Sequence, residues 1–217
     1  MITVFGEGRG FRVVWLLEEM GLPYRLRPVD LLAGVENDPD FLAINPGGFI
    51  PALQDGDVTM VESVAIMEYL IARYGKNSTG APLAPAPHDP AFPLYQQFLH
   101  LGEAGLGSTI QLVVVSRNFA PEAERQNWGG RWSLEQFNNR LKLVTLQLAH
   151  SPFMAGEAFT AADISVTYAL ILAQKGGGVA LGAAEMAYMA RTTARDAYKR
   201  ALETCQATKA WLASVRD

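Results

Sequence analysis

The sequence contains few of the residues that would place it in several common functional classes. Its one cysteine, Cys205, excludes an internal disulfide and a CxxC redox pair and is typical of a reducing compartment. The three histidines, His88, His100 and His150, are scattered, so no metal-ligand spacing is present. Lysine and arginine number 18 against 22 acidic residues and form no basic run, which argues against nucleic acid as a partner.

Long apolar runs and targeting signals are also missing. The longest apolar runs fall short of the roughly 20 residues that a membrane span requires. The N-terminal stretch MITVFGEGRG lacks a basic segment followed by an apolar one, so no secretory signal is expected. The chain does have 217 residues, of which 49% are hydrophobic, enough for one large domain or two small ones with real cores. Composition therefore predicts a cytoplasmic globular protein.

The first 75 residues alternate between strand and helix patterns. ITVFG at 2–6 is rich in strand formers, and the spacing of apolar residues in GFRVVWLLEEMG predicts a helix that ends at Gly21. YRLRPV predicts a second strand, and Asp-Gly at 55–56 between apolar runs predicts a β-hairpin. Ser63 is predicted to be the N-cap of a last helix that ends at Gly75. The order is βαβ, a short helix and ββα, which defines an α/β domain.

The pattern changes after a proline-rich stretch. Residues 77–90 (NSTGAPLAPAPHDP) hold four prolines, so they neither continue a helix nor pair centrally in a sheet and are interpreted as a linker. Beyond them, stretches such as LYQQFLHLGEAGLGSTIQLVVVSRNF and SLEQFNNRLKLVTLQLAH have helical periodicity. Thr160 and Asp163 form a Thr-x-x-Asp variant of a capping box. The sequence thus predicts an α/β domain followed by an all-helical one.

The turn after the first strand, GEGRG at 6–10, invites a dinucleotide-binding interpretation. That fingerprint requires its third glycine one position later, where Phe11 stands, and further βα units that this chain lacks. Glycines at a strand-to-helix turn also serve a simpler purpose, because they let a ligand approach the backbone and the helix N-terminus closely.

The segment NPGGFIPALQDGDVTMVES at 45–63 places a proline directly before a strand and Glu-Ser at a helix start. A cis bond at Ile50–Pro51 would leave the backbone N–H and C=O of Ile50 free to pair with an extended ligand. The helix start at Ser63 attracts a carboxylate, and Glu62 is suited to an ammonium. A ligand with an α-amino acid at one end and a peptide bond in its middle matches both features. The alternative is that Pro51 merely begins a strand and Ser63 merely caps a helix.

These motifs resemble those of cytosolic glutathione transferases. NPGGFIPAL followed by VES is similar to the glutathione-binding segment of that family, RVVWLLEEMG to its first helix, and FTAADI to the capping segment of its buried helix. The resemblance implies a thioredoxin-like glutathione-binding domain at 1–76, a linker at 77–90 and an all-helical substrate-binding domain at 91–217. It also implies a homodimer, a role in detoxification and no metal.

The resemblance assigns glutathione, as co-substrate, to particular residues. It implies that the backbone of Ile50, beside cis-Pro51, pairs with the cysteinyl part of glutathione, with Phe49 alongside. Glu62 and Ser63 would hold the γ-glutamyl end.

The family's usual catalytic Tyr, Ser or Cys is absent. Glu7 or Gly8 stands where the Ser or Cys is expected, and Val4 or Phe5 where the Tyr is expected. A thiol with a pKa of about 8.5 is only a few per cent thiolate at pH 7, so it needs activation. An ionised Glu7 beside the sulfur would disfavour the thiolate, whereas Arg9 would favour it. Both are candidate catalytic residues, and Arg9 is the better one. The alternative is that they pair on the surface.

The resemblance predicts addition of the glutathione thiolate to a small hydrophobic electrophile. Phe11 and, in the helical domain, Gly107, Ile110 and Gln111 are the candidate pocket residues; close helix packing is the alternative role for the glycines there. Cys205 lies far along the chain from the glutathione-like segment, so it is not expected to be a nucleophile. Two other functions stay open. One is a glutathione-dependent isomerase or ether-cleaving enzyme, and the other is a non-catalytic binding module with the same fold.

Overall fold

The computed structural model describes residues 1–31, 33–75, 77–125 and 127–214, with side chains described as far as residue 206. By its contacts the chain divides into two compact units. The first unit comprises Met1–Pro82 and the C-terminal stretch from Ala194, and the second comprises Leu83–Thr193.

The first unit is built on a four-stranded mixed sheet in the order β2-β1-β3-β4. Strand β1 (Ile2–Phe5) runs parallel to β2 (Tyr24–Arg27) and antiparallel to β3 (Ala52–Asp55). Strand β3 forms a hairpin with β4 (Val58–Val61), as the Asp-Gly pair predicts. This arrangement, with its helices, confirms the predicted α/β domain, although β2 ends before the Pro28 that the sequence pattern included.

The helices of the first unit are α1 (Phe11–Met20), α2 (Pro39–Ile44), α3 (Ser63–Tyr74) and α9 (Asp196–Ser214). Eight of the ten residues of helix α1 are buried, among them the charged Arg12 and Glu19, as expected of a helix covered on more than one face. Helix α9 packs against it, and the ring of Tyr198 meets that of Trp15 edge-on at 4.9 Å. The C-terminal helix therefore completes the core of the N-terminal unit.

Two carboxylates at the end of α1 hold α9 in register. Glu19 accepts hydrogen bonds from Arg195 through both carboxylate oxygens, at 2.6 and 2.7 Å, and from the indole N–H of Trp15 at 3.1 Å. Glu18 accepts from Arg200 Nε at 2.7 Å. The Glu19–Arg195 pair is bidentate, and the carboxylate of Glu19 is buried. A pair of this kind fixes the geometry between the two residues.

The second unit is helical, as predicted. Its helices are α4 (Phe92–His100), α5 (Ser108–Asn118), α6 (Trp128–Leu148), α7 (Ala161–Ile171) and α8 (Ala183–Thr193). A π-helical stretch, Leu101–Gly107, joins α4 to α5, and another, Leu172–Gly176, extends α7. The β-branched run VVV at 113–115, part of a stretch predicted to be helical, lies in α5.

The helical stretch Phe92–Asn118 is long and apolar enough to cross a membrane by length and composition alone, the one such helix in the described part of the chain. Of its most apolar window, 56% is buried inside the protein. A core helix of a globular protein passes the same test, so this property is weak evidence for a membrane span.

The start of α7 carries the predicted capping box. Asp163 accepts hydrogen bonds from the backbone N–H of Thr160 at 2.8 Å and of Met154 at 2.9 Å, and from the Tyr188 hydroxyl at 2.9 Å. The carboxyl group is fully buried, and this burial raises its pKa to about 6 although the hydrogen bonds act in the opposite direction.

Asp163 is expected to make stability depend on pH. The pKa of Asp163 is about 6 in the folded state and about 3.9 in the unfolded state. At pH values between these two, the folded protein therefore binds more protons than the unfolded chain does. The favourable contribution is fully present below about pH 4 and is lost as the pH rises through about 6. Relative to Asp163→Asn, the free energy of unfolding of the wild type should fall by about 2 kcal/mol between pH 4 and pH 7.

Urea unfolding at several pH values between 4 and 7 measures this difference. The exposed Asp57 in the β3–β4 turn provides the matched control, and Asp57→Asn should follow the wild type at every pH. Parallel pH profiles for the wild type and Asp163→Asn would contradict the expectation.

Candidate functional site

The turn after β1 packs directly on the Ile50–Pro51 segment. The Ile50–Pro51 peptide bond is cis, as the interpretation of the sequence requires. A methyl group built on Gly6 would lie 2.4 Å from Cγ2 of Ile50, and one built on Gly8 would lie 2.9 Å from Cδ1. Gly6 also has a φ of +79°, in the left-handed region that favours glycine. The glycines of the turn are therefore needed for Ile50 to occupy its position.

The backbone of Ile50 is open to a ligand. The β3–β4 ladder begins at the Ala52–Val61 pair, beyond Ile50. Within the described residues, neither the N–H nor the C=O of Ile50 has a backbone hydrogen-bond partner. This pair of groups is able to bind an extended peptide as a neighbouring strand would.

Asn45 fixes the loop that leads to Ile50. This buried side chain donates a hydrogen bond from Nδ2 to the carbonyl of Phe49 at 2.6 Å and accepts one from Gly47 N–H at 3.0 Å. The Phe49 ring itself is exposed. Asn45 is a positioning residue that the sequence did not single out, although an asparagine before Pro-Gly-Gly is a common turn signal.

The start of α3 combines a hydroxyl with a buried cation. Ser63 is 3% exposed, and its Oγ accepts a hydrogen bond of 3.0 Å from Nη1 of Arg12, which is completely buried on α1. Because Ser63 accepts from Arg12, its own hydroxyl hydrogen is left to donate elsewhere. The positive end of the α3 dipole lies at the same place. These groups together have the chemistry of a carboxylate-binding site.

The prediction that Ser63 caps α3 is wrong in detail. The N-cap is Glu62, which has a φ of +71°, and Ser63 is the first helical residue. The physical reason is that the Ser63 oxygen is engaged by Arg12 instead of by the N-terminal N–H groups of its own helix. Sequence analysis also missed Arg12. Its signal is a single arginine inside the otherwise apolar run FRVVWLL, where an arginine is almost never buried without a partner.

Glu7 and Arg9 occupy different environments within the glycine turn. Glu7 is 8% exposed, and its Oε2 is buried with no hydrogen-bond partner among the described residues. The Arg9 side chain is half-buried. No ion pair of Glu7 is found in the part of the chain that the structure describes. A buried carboxylate oxygen without a partner is costly and is characteristic of a functional position.

The remaining predicted residues are distributed over both units. In the first unit, Phe11 is partly exposed, with its ring 5.4 Å from that of Tyr198. In the second unit, Gly107 ends the first π-helical stretch and is buried, while Gln111 is partly exposed on α5. Ile110 is fully buried. Their role in binding an electrophile stays a prediction.

The described residues contain neither an exposed cysteine nor a group of side chains arranged to bind a metal ion. Cys205 is buried on α9, within the first unit. No group of three or more His, Cys, Asp or Glu side chains among the described residues is arranged to hold a metal ion.

Comparison with known proteins identifies the family. The sequence profile of the glutathione S-transferase N-terminal domain matches residues 10–73. Glutathione S-transferase 3 of Zea mays is 35% identical over 167 residues, covering 70% of this chain and 68% of the relative. Glutathione S-transferase 3 of Schizosaccharomyces pombe is 32% identical over 181 residues, covering 78% and 72%.

Solved structures give the same result. The theta class glutathione S-transferase of Xanthomonas axonopodis pv. citri, determined with glutathione bound, has a TM-score of 0.77 and 27% identity over 92% of this chain and 96% of that one. The chain belongs to the glutathione S-transferase family. The predicted fold class, a thioredoxin-like domain plus a helical domain, is confirmed with it.

Proposed function

We propose that this protein is a glutathione transferase that binds glutathione in its first unit and adds the thiolate to a small hydrophobic electrophile. Its named relatives are glutathione S-transferases, and one similar structure holds glutathione. The observation that carries the proposal is the Arg12–Ser63 pair at the start of α3, because a buried guanidinium and a hydroxyl there suit an α-carboxylate.

The glutathione peptide occupies the open backbone of Ile50 in this proposal. The cysteinyl part pairs with the N–H and C=O of Ile50, beside Pro51 and the exposed Phe49. The γ-glutamyl α-carboxylate accepts from the Ser63 hydroxyl, and its ammonium pairs with Glu62. The cysteinyl sulfur then lies toward the glycine turn at 6–10, where Glu7 and Arg9 are the candidate catalytic side chains.

The chemical step needs a thiolate. We assign Arg9 to its stabilisation, since a nearby guanidinium favours the negative sulfur, and the backbone N–H groups at the start of α1 add about 0.3–1 kcal/mol. The thiolate attacks the electrophilic carbon, a sulfur–carbon bond forms, and the leaving group departs with its electron pair. Glu7, a buried carboxylate in the same glycine turn, is the second candidate catalytic side chain.

Arg9→Ala is expected to raise the pKa of the bound glutathione thiol by about one unit, because a half-exposed opposite charge is partly screened by solvent. The thiolate absorbance in the ultraviolet, followed against pH, measures this value. Arg25→Ala removes the same charge from an exposed position on β2 and should leave the thiol pKa unchanged. An unchanged thiol pKa in Arg9→Ala would remove Arg9 from the mechanism.

Two assays in sequence test the function itself. Retention on immobilised glutathione measures binding, and conjugation of an aromatic chloride measures transfer. Binding with turnover supports the transferase. Binding without turnover favours the non-catalytic module that the missing Tyr, Ser or Cys also suggests, or an isomerase or ether-cleaving enzyme with other substrates. No binding would overturn the proposal.

We also propose roles for the two domains, an oligomeric state and a cellular location. Residues 1–76, completed by the stretch from Ala194, form the glutathione-binding domain. The helical residues from 91 to 193 form the electrophile-binding domain, joined to it by 77–90, with Gly107, Ile110 and Gln111 as candidate contacts. The protein is a cytoplasmic homodimer that acts in detoxification. Light scattering of the purified chain tests the oligomeric state.

A further inference from the structure

A small cavity opens between α5 and α6 in the second unit. Its lining residues come from two turns of each helix and are Val113, Ser116, Arg117, Gly130, Arg131 and Leu134. Its volume is about 40 Å³. Since a single water needs on the order of 10–15 Å³ by the same measure, the cavity has the space of about three water molecules, which is comparable with one small polyatomic anion. We call it the α5–α6 cavity.

The cavity contains a polar group without a partner. Ser116 is 8% exposed, and its Oγ is buried and makes no hydrogen bond within the described residues. A buried hydroxyl that neither donates nor accepts is unfavourable, and native structures contain few of them. A ligand in the cavity that accepts the Ser116 hydrogen would remove this cost.

The described charged residues that line the cavity are arginines. Arg117 and Arg131 both line it, and none of the described lining residues is acidic. Arg117 donates from Nη1 to the carbonyl of Gly177, which holds its guanidinium in place. Two guanidinium groups and a hydroxyl form a donor set suited to an oxoanion.

The first turn of α6 adds to this field. Gly130 and Arg131 follow the N-cap Asn127 in a helix of 21 residues, so the positive end of the helix dipole lies at the cavity. Gly130 also keeps the cavity open. A methyl group built on Gly130 would lie 2.7 Å from Ser116 Oγ, whereas one on Gly129 meets only Asn127 Oδ1 at 3.4 Å.

We propose that the α5–α6 cavity binds a small tetrahedral oxoanion, free or as the terminal phosphate or sulfate of a larger molecule. The Ser116 hydroxyl donates one hydrogen bond to it, and Arg117 and Arg131 supply charge-assisted ones. The cavity lies wholly within the helical unit, so this site is separate from the groups assigned to glutathione and does not depend on the proposed transferase activity.

Calorimetric titration of the full chain with inorganic phosphate and with sulfate tests the proposal, with chloride at matched ionic strength as the reference. Saturable binding is expected for the oxoanions and none for chloride. Ser116→Ala should weaken phosphate binding by about tenfold, because a hydrogen bond to a charged group is lost. A parallel titration with phenyl phosphate separates the two sources: binding tighter than that of phosphate assigns the site to the end group of a larger ligand, and weaker binding assigns it to the free anion.

The two neighbouring glycines provide a matched pair of variants. Gly130→Ala fills the cavity and should abolish binding, whereas Gly129→Ala makes the same chemical change in the same helical turn and should bind as the wild type does. Circular dichroism checks that each variant is folded, and if Gly130→Ala is not, Ser116→Ala decides. Oxoanion titrations indistinguishable from chloride, or phosphate binding unchanged in Ser116→Ala, would overturn the proposal.

Discussion

Replacing Ser63 with alanine is expected to lower kcat/KM for glutathione conjugation by about 10- to 100-fold. The hydroxyl accepts from the buried Arg12 at 3.0 Å, which orients it, and in the proposed complex it donates to the α-carboxylate of glutathione. A hydrogen bond to a charged group is worth about 1.5–3 kcal/mol, which gives a loss of that size. Steady-state kinetics at varied glutathione concentration measure it.

The control for this substitution is an exposed serine of the same unit that lies outside the proposed site. Ser78 follows α3, its side chain is exposed, and its N–H donates to the carbonyl of Glu19 near the far end of α1. Ser78→Ala removes a hydroxyl away from the carboxylate site, so its kcat/KM should stay at the wild-type value. Equal kinetics for Ser63→Ala and Ser78→Ala would contradict the assignment of that site.

Gly6→Ala is expected to be the most damaging single change in the glycine turn. The added methyl would lie 2.4 Å from Cγ2 of Ile50 at a residue whose φ is +79°. Overpacking costs about 1–3 kcal/mol, and a left-handed non-glycine residue about 1–2 kcal/mol more. The free energy of unfolding should therefore fall by about 2–5 kcal/mol. Retention on immobilised glutathione should be lost, because Ile50 must move.

Gly56→Ala separates the two causes. Gly56 has a similar φ of +61°, but a methyl group there would meet nothing within 4 Å. This variant carries the backbone cost alone, so it should lose only about 1–2 kcal/mol of stability and keep full glutathione binding. Denaturant unfolding and glutathione retention are measured on both variants. If Gly6→Ala is as stable as Gly56→Ala and still binds, Ile50 is not held by the turn.

Much of the fold is predictable because its signals are local. The helix that ends at Gly21, the Asp-Gly hairpin and the Thr160–Asp163 capping box each depend on residues within one or two turns of one another. The structure has all three where the sequence places them. Helix ends, hairpin turns and capping boxes that are specified by neighbouring residues depend little on tertiary contacts.

The features that sequence reasoning missed depend on contacts between distant residues. Arg12 and Ser63 are 51 positions apart, and no periodicity connects them. Arg195 and Glu19 are 176 positions apart, so the packing of α9 on α1 has no signal in either helix alone. The burial of Glu7 likewise depends on how the glycine turn meets Ile50, whereas in sequence Glu7 looks like an ordinary polar turn residue.

The discontinuous first unit has a consequence for how the protein is made. Trp15 on α1 is covered by Tyr198 on α9, so the core of the first unit lacks its final layer until α9 has left the ribosome. At roughly 5–20 residues per second, synthesis of the intervening helical unit leaves that apolar face accessible to chaperones and proteases for several seconds. Sequence changes on the inner face of α9 should therefore reduce the yield of soluble protein before they alter its chemistry.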